Sequence, residues 1–164
     1  MYKKLLFPVL FVSDEVDVKE GIRMLTVAAE SAYWPAQVEY LRALYIFKGT
    51  PSLAEQDKGI AFLKAAADAG AADAMFWLAD YSTNGLDFTT TYEGQDLIGE
   101  LSRIDAYANF LAAAAVYNQL GIRAPIMEYV REANVELSPF EVMEARRRAE
   151  SLLKTPECCK VWKH

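Results

Sequence analysis

The chain has 164 residues and a formal net charge of −6, and 53% of its residues are hydrophobic. This length and composition predict a single globular domain over residues 1–164 that folds without a metal or a disulfide framework. The acidic balance argues against nucleic acid as a partner, because phosphate backbones are bound by clustered lysine and arginine. It favours a basic protein partner, although a net acidic charge is also ordinary for a soluble domain.

The first residues resemble the start of a signal peptide, since Lys3 and Lys4 precede an apolar run over residues 5–12. That run contains Pro8 and lacks a small-x-small cleavage pattern. It is also too short to cross a bilayer as a helix. We therefore interpret residues 1–16 as an N-terminal capping element and expect no membrane partner. The expected location is the cytoplasm, with the periplasm as the less favoured alternative.

Two segments of the chain repeat each other at an offset of 38 residues, from Gly21 to Gly59. The matching pairs that follow are Ile22 and Ile60, Leu25 and Leu63, Ala28 and Ala66, Ala29 and Ala67, and Ala36 and Ala74. A fixed period of this length is typical of stacked helical pairs, each of which buries its apolar face against the next pair. The alanines predict points where neighbouring helices approach closely.

Apolar residues recur at helical spacing and predict four helices in the two repeats. They cover about residues 17–32, 35–47, 54–69 and 73–84. Pro35 suits a first helical turn. Helix-ending residues follow the second, third and fourth of these helices: Gly49, Pro51, Gly70 and Gly85.

A looser third copy follows a polar stretch dotted with aromatic residues over 86–94. Residues 105–114 are again apolar and rich in alanine, and a further helix is predicted over about 126–134. The last predicted helix begins at Ser138, where Pro139 and Glu141 complete an N-cap signature, and runs to about residue 153. Because patterns typical of strands are scarce, the sequence predicts an all-α fold.

Phe62 to Gly70, followed by Ala74, Leu78, Ala79 and Gly85, resembles the Sel1-like repeat, a relative of the tetratricopeptide repeat. Residues 106–114 resemble the usual last repeat of such arrays, and residues 137–147 resemble the helix that often closes them. The resemblance implies a short α-solenoid of antiparallel helix pairs over about residues 17–153, with a C-terminal capping helix. Residues 154–164 are then a tail.

The sequence offers no set of residues for catalysis. The only histidine is His164, and neither a zinc-ligand spacing nor a glycine-rich phosphate loop is present. We therefore expect a protein that is not an enzyme and that binds no metal or cofactor. Cys158 and Cys159 are adjacent, and since adjacent cysteines seldom bond to each other, we expect two reduced thiols.

Six residues are candidates for binding a protein partner: Arg42, Tyr45, Trp77, Asp80, Phe88 and Tyr92. The aromatic members flank inward helix positions or lie in the link after residue 85, and tyrosine and tryptophan are enriched at interface hot spots. Core packing is the commoner role of such aromatic residues. Arg42 and Asp80 occupy outward positions on successive helices, which the resemblance assigns to the concave surface. The run Arg146, Arg147 and Arg148 is interpreted as a solvated helix face.

These features favour a non-catalytic protein–protein interaction module. The resemblance to short Sel1-like proteins implies a bacterial adaptor or immunity protein. Such a protein would neutralise a cognate toxin or effector through its concave surface. One alternative is a self-associating scaffold, which forms a homodimer through an uncapped first repeat. A less favoured alternative is an enzyme built on helical repeats.

Overall fold

A computed structural model describes residues 15–84, 102–121, 137–154 and 158–159. These residues form six α-helices and no β-strand, which confirms the all-α prediction for this part of the chain. The helices are α1 (Glu15–Glu30), α2 (Trp34–Phe47), α3 (Leu53–Asp68), α4 (Ala72–Asn84), α5 (Arg103–Gln119) and α6 (Pro139–Leu153). The helix predicted over 126–134, and residues 1–14 of the predicted capping element, lie outside the described residues.

The 38-residue period of the sequence is also a period of the backbone. Helices α1 and α3 have 16 residues each and begin at positions 38 apart, and α2 and α4 begin at the matching positions Trp34 and Ala72. The turns match as well, because Ala32 and Gly70 have positive φ angles of 60° and 84°. The two segments are therefore equivalent helical pairs.

Each of these two turns ends its helix with the same hydrogen bonds. The Tyr33 N–H donates to the Ala28 carbonyl at 3.1 Å, and the Ala71 N–H donates to the Ala66 carbonyl at 3.0 Å. Together with the left-handed residue before the donor, this is the Schellman arrangement, which satisfies carbonyls at a helix end. Gly70 suits this conformation, whereas Ala32 adopts it despite its Cβ atom.

Serine residues begin three of the helices. The Ser52 and Ser138 hydroxyls accept hydrogen bonds from the Glu55 and Glu141 backbone N–H groups, and both glutamates reach back to the serine N–H to complete capping boxes. Ser102 caps α5 in the same position. The N-cap predicted at Ser138 is confirmed.

Consecutive helices pack against each other along the whole described chain, and α2 also contacts α4. Small residues of the repeat lie in these interfaces. Five of the repeated alanines are buried: Ala29, Ala36, Ala66, Ala67 and Ala74. Their burial agrees with positions that face other helices, and close approach of the helices at these alanines stays a prediction. The largest fully buried side chains include Phe110, Leu41, Leu44, Leu63 and Met75.

Cys158 and Cys159 form a disulfide bond with each other, so the expectation of two reduced thiols was wrong. Cys159 has a φ angle of 82°, a left-handed conformation that L residues rarely adopt. Its backbone N–H donates to the Gly70 carbonyl at 2.9 Å. The prediction used the general rarity of bonded neighbours, and sequence alone gave no sign of this local backbone conformation.

Candidate functional site

The repeat brings polar and aromatic side chains together on one face of α2 and α4. Glu39 and Trp77 hold equivalent repeat positions, and Arg42 and Asp80 hold the next equivalent pair. Residues three apart lie on the same side of a helix, and α2 contacts α4. We call this surface the α2–α4 strip; it consists of Glu39, Arg42, Tyr45, Trp77, Asp80 and Tyr81.

An ion pair and an aromatic pair lie within the α2–α4 strip. Arg42 Nε is 3.0 Å from Glu39 Oε2, and about a third of each side chain is exposed, 33% for Arg42 and 29% for Glu39. Trp77 stacks on Tyr81, with ring centroids 5.7 Å apart and an interplanar angle of 30°. Tyr81 itself is buried, at 3% exposed, whereas Trp77 is half-buried. A partner can therefore contact Trp77, whose ring packs on the buried ring of Tyr81.

Several charged residues of the α2–α4 strip act on the Tyr81 hydroxyl. Burial raises the pKa of Tyr81 above its ordinary value, and the charges of Asp80 and Glu39 raise it further. Arg42 acts in the opposite direction. The two carboxylates outweigh the guanidinium, so the local potential is negative and the phenol stays neutral at physiological pH.

Four of the six predicted partner-binding residues lie in this strip: Arg42, Tyr45, Trp77 and Asp80. Arg42, Asp80 and Tyr45 all act electrostatically on Tyr81, and Trp77 stacks on it. Phe88 and Tyr92 lie outside the described residues. The sequence prediction omitted Glu39, although it lies three residues before Arg42 and one repeat before Trp77. Tyr81 was also outside the predicted set, and it is buried.

The strip contains residue types that are common at protein–protein contacts. Tryptophan, tyrosine and arginine are the residues most enriched at protein–protein hot spots. Across the described ranges, no three side chains of His, Cys, Asp or Glu are grouped so that they could hold a metal ion. Within the same ranges, no helix has the length and apolar character needed to cross a membrane.

Two further polar contacts hold the helices in place. The Tyr117 hydroxyl on α5 donates to Asp73 on α4, and Tyr117 is buried, at 8% exposed. On α6, Arg148 contacts Asp105 of α5 and donates to Glu144 at 2.9 Å. Arg146 and Arg147 are exposed, as predicted for a solvated helix face. Arg148 keeps 38% of its side chain exposed and also contacts its carboxylate partner on α5.

Comparison with known proteins finds no relative of the chain. No family model matches the chain, and no curated protein or solved structure matches it. The Sel1-like resemblance thus stays a prediction.

Proposed function

We propose that the chain is a short α-solenoid of Sel1-like helix pairs, with α6 as its capping helix, and that it is a non-catalytic protein–protein interaction module. Consecutive packing of the helices and the matched turns at Ala32 and Gly70 support the architecture. Helical arrays of this kind present extended surfaces on which a partner can bind.

The observation that carries the proposal is the composition of the α2–α4 strip. The repeat aligns Glu39 and Arg42 with Trp77 and Asp80, so that two charged side chains of α2 match an aromatic and a charged side chain of α4, which contacts α2. The strip has two carboxylates for one guanidinium, and the whole chain carries a net charge of −6. Its partner is therefore a basic protein surface, with a cationic side chain placed against Asp80 and Glu39 and an apolar group on Trp77.

Within this class, the role we favour is that of a bacterial immunity or adaptor protein that binds and neutralises a basic toxin or effector. Opposite net charges speed the encounter of two proteins by electrostatic steering. Fast encounter has value for an immunity protein, because a toxin must be captured before it acts. The negative potential at Tyr81 supports the same charge preference.

The experiment is co-expression of the chain with the product of the adjacent open reading frame, followed by affinity purification and size-exclusion chromatography. We expect a stable complex and protection of cells that are exposed to that product. The absence of both a complex and protection would count against the immunity role. A complex without protection would instead support the adaptor role.

Self-association is a second candidate function. It is favoured by exposed apolar side chains on the first and the last of the described helices. Met24 and Val27 on α1 are 54% and 50% exposed, and Phe140 and Met143 on α6 are 72% and 65% exposed. Such side chains can pair with those of a second copy. Light scattering over a dilution series tests this, and a constant monomer mass would exclude it.

A further inference from the structure

The disulfide between Cys158 and Cys159 lies against the turn that joins α3 to α4. Cys158 is half-buried and packs against the hydrophobic core, whereas Cys159 is exposed. The Cys159 N–H donates to the Gly70 carbonyl at 2.9 Å. The pair thus joins a residue close to the carboxyl end of the chain to the turn that precedes α4.

Among the described residues, no backbone N–H donates to the carbonyl of Ala32 in the first turn, and burial gives the reason. Gly70 is buried, whereas Ala32, its equivalent 38 residues earlier, is exposed. A buried backbone carbonyl needs a hydrogen-bond donor, while an exposed one can bond to water. The Cys159 N–H supplies that donor at Gly70. The contact therefore satisfies a polar group of the fold.

The Cys159 N–H belongs to the peptide that links the two bonded cysteines, and Cys159 itself has a φ angle of 82°. A non-glycine residue rarely holds this conformation unless something constrains it. The bond between the two adjacent side chains closes a small ring around the peptide that links them, and this ring supplies the constraint. The backbone contact and the disulfide are therefore coupled.

We propose that Cys158 and Cys159 form a reversible thiol–disulfide site that fastens the carboxyl-terminal chain to the α3–α4 turn. A thiolate of a dithiol reductant attacks the exposed Cys159 Sγ, the S–S bond breaks, and Cys158 Sγ leaves as a thiolate and takes up a proton. The second thiol of the reductant then displaces Cys159 Sγ, which is also protonated, and the reductant becomes a disulfide. In the reduced protein, Cys159 relaxes to negative φ and its N–H leaves the Gly70 carbonyl.

The test uses the full chain, oxidised or treated with dithiothreitol, and follows amide hydrogen exchange at Cys159 by NMR. Reduction should accelerate exchange of the Cys159 amide about tenfold or more, while amides inside α3 and α4 stay protected. Alkylation with iodoacetamide under denaturing conditions should modify neither cysteine before reduction and both afterwards. Unchanged exchange at Cys159 on reduction, or alkylation of both cysteines in the untreated protein, would overturn the proposal.

Two double variants separate the backbone conformation from the sulfur chemistry. In Cys158→Ser/Cys159→Ser, exchange at residue 159 should match that of the reduced protein and should not respond to dithiothreitol. In Cys158→Ser/Cys159→Gly, glycine accepts positive φ without a disulfide, so residue 159 should keep part of its protection. Equal exchange in the two variants would contradict the coupling between φ and the Gly70 contact.

Discussion

The backbone of Gly59 on α3 lies directly against the side chain of Leu41 on α2. A Cβ atom placed on Gly59 would be 2.2 Å from Leu41 Cγ, far inside van der Waals contact. Both residues are buried, and Leu41 is 1% exposed. This close approach explains a glycine in the interior of a helix, a position where glycine is otherwise unfavourable.

Gly59→Ala should therefore destabilise the protein by about 1–2 kcal/mol, because the overlap with Leu41 costs more than the gain in helix propensity. The measurement is the free energy of unfolding in urea. In a Leu41→Ala background the obstacle is gone, so the same change should be neutral or stabilising. An equal loss in both backgrounds would contradict the direct contact.

Exchanging glycine and alanine in the two equivalent turns should change the stability of the protein in opposite directions. Gly70→Ala places a Cβ atom at positive φ and should cost about 1 kcal/mol. Ala32→Gly relieves the same strain and should stabilise by up to about 0.5 kcal/mol after the entropy cost of glycine. Urea unfolding of both variants measures this. A loss of stability in Ala32→Gly would show that the first turn does not carry the strain that its φ of 60° implies.

Arg148 should contribute to stability more than its neighbour Arg146. Burial opposes ionisation of Asp105, but hydrogen bonds from Arg148 and Ser102 outweigh it and lower the pKa of Asp105. A lowered folded-state pKa adds stability above the ordinary value of 3.8, and this stability is lost as the pH falls through the folded pKa. Arg148→Ala should lower the free energy of unfolding at pH 7, and the loss should be smaller at high salt or in acid.

Arg146→Ala, a change to an exposed arginine of the same run, is the matched control and should have little effect. Chemical unfolding at pH 7 and at about pH 3 measures both variants. Equal losses for the two arginines would show that the contact between α5 and α6 does not depend on Arg148.

Tyr117→Phe should cost about 1–2 kcal/mol at pH 7, because the half-buried carboxylate of Asp73 loses its hydroxyl donor. Burial raises the pKa of Tyr117, and the negative charge of Asp73 raises it further. Stability from a raised pKa is fully present below the unfolded-state value near 10 and is lost as the pH rises toward the folded pKa. The difference between the variant and the natural protein should therefore shrink above about pH 10. Tyr33→Phe, at an exposed tyrosine, is the control.

The α2–α4 strip should bind its basic partner through Asp80. Asp80→Lys should raise the dissociation constant at least about tenfold, because it places a like charge against the partner. Asp57→Lys makes the same change in net charge at an exposed position of α3 and should have a much smaller effect. Isothermal titration calorimetry with the copurified partner measures both. Similar weakening by the two variants would indicate steering by net charge and not contact at the strip.

The helices themselves could be predicted from the sequence because their signals are local. Apolar periodicity, Pro35 and the Ser138 cap set their positions, and five of the six observed helices begin within two residues of the predicted starts. The repeat also predicted that Arg42 and Asp80 lie at equivalent positions, and both belong to the α2–α4 strip. The repeat register alone decides that these residues share a face, and their role in binding a partner stays a prediction.

Contacts between helices could not be predicted in the same way. The overlap of Gly59 with Leu41 and the pairing of Arg148 with Asp105 depend on how each helix is rotated about its axis against its neighbour, which periodicity does not determine. The bond between Cys158 and Cys159 depends on a single φ angle. Each of these features is fixed by tertiary packing, which has no local sequence signal.

The order in which the helices pack has a kinetic consequence. Among the described helices, most contacts join helices that follow one another along the chain, and topologies dominated by such contacts fold quickly. Helices α2 to α5 each pack against a described helix on both sides, whereas α1 packs mainly on α2 and α6 on α5. Local opening should therefore start at α1 and α6 and reach the centre last, so that a protease cuts the outer helices while the middle of the array is still folded.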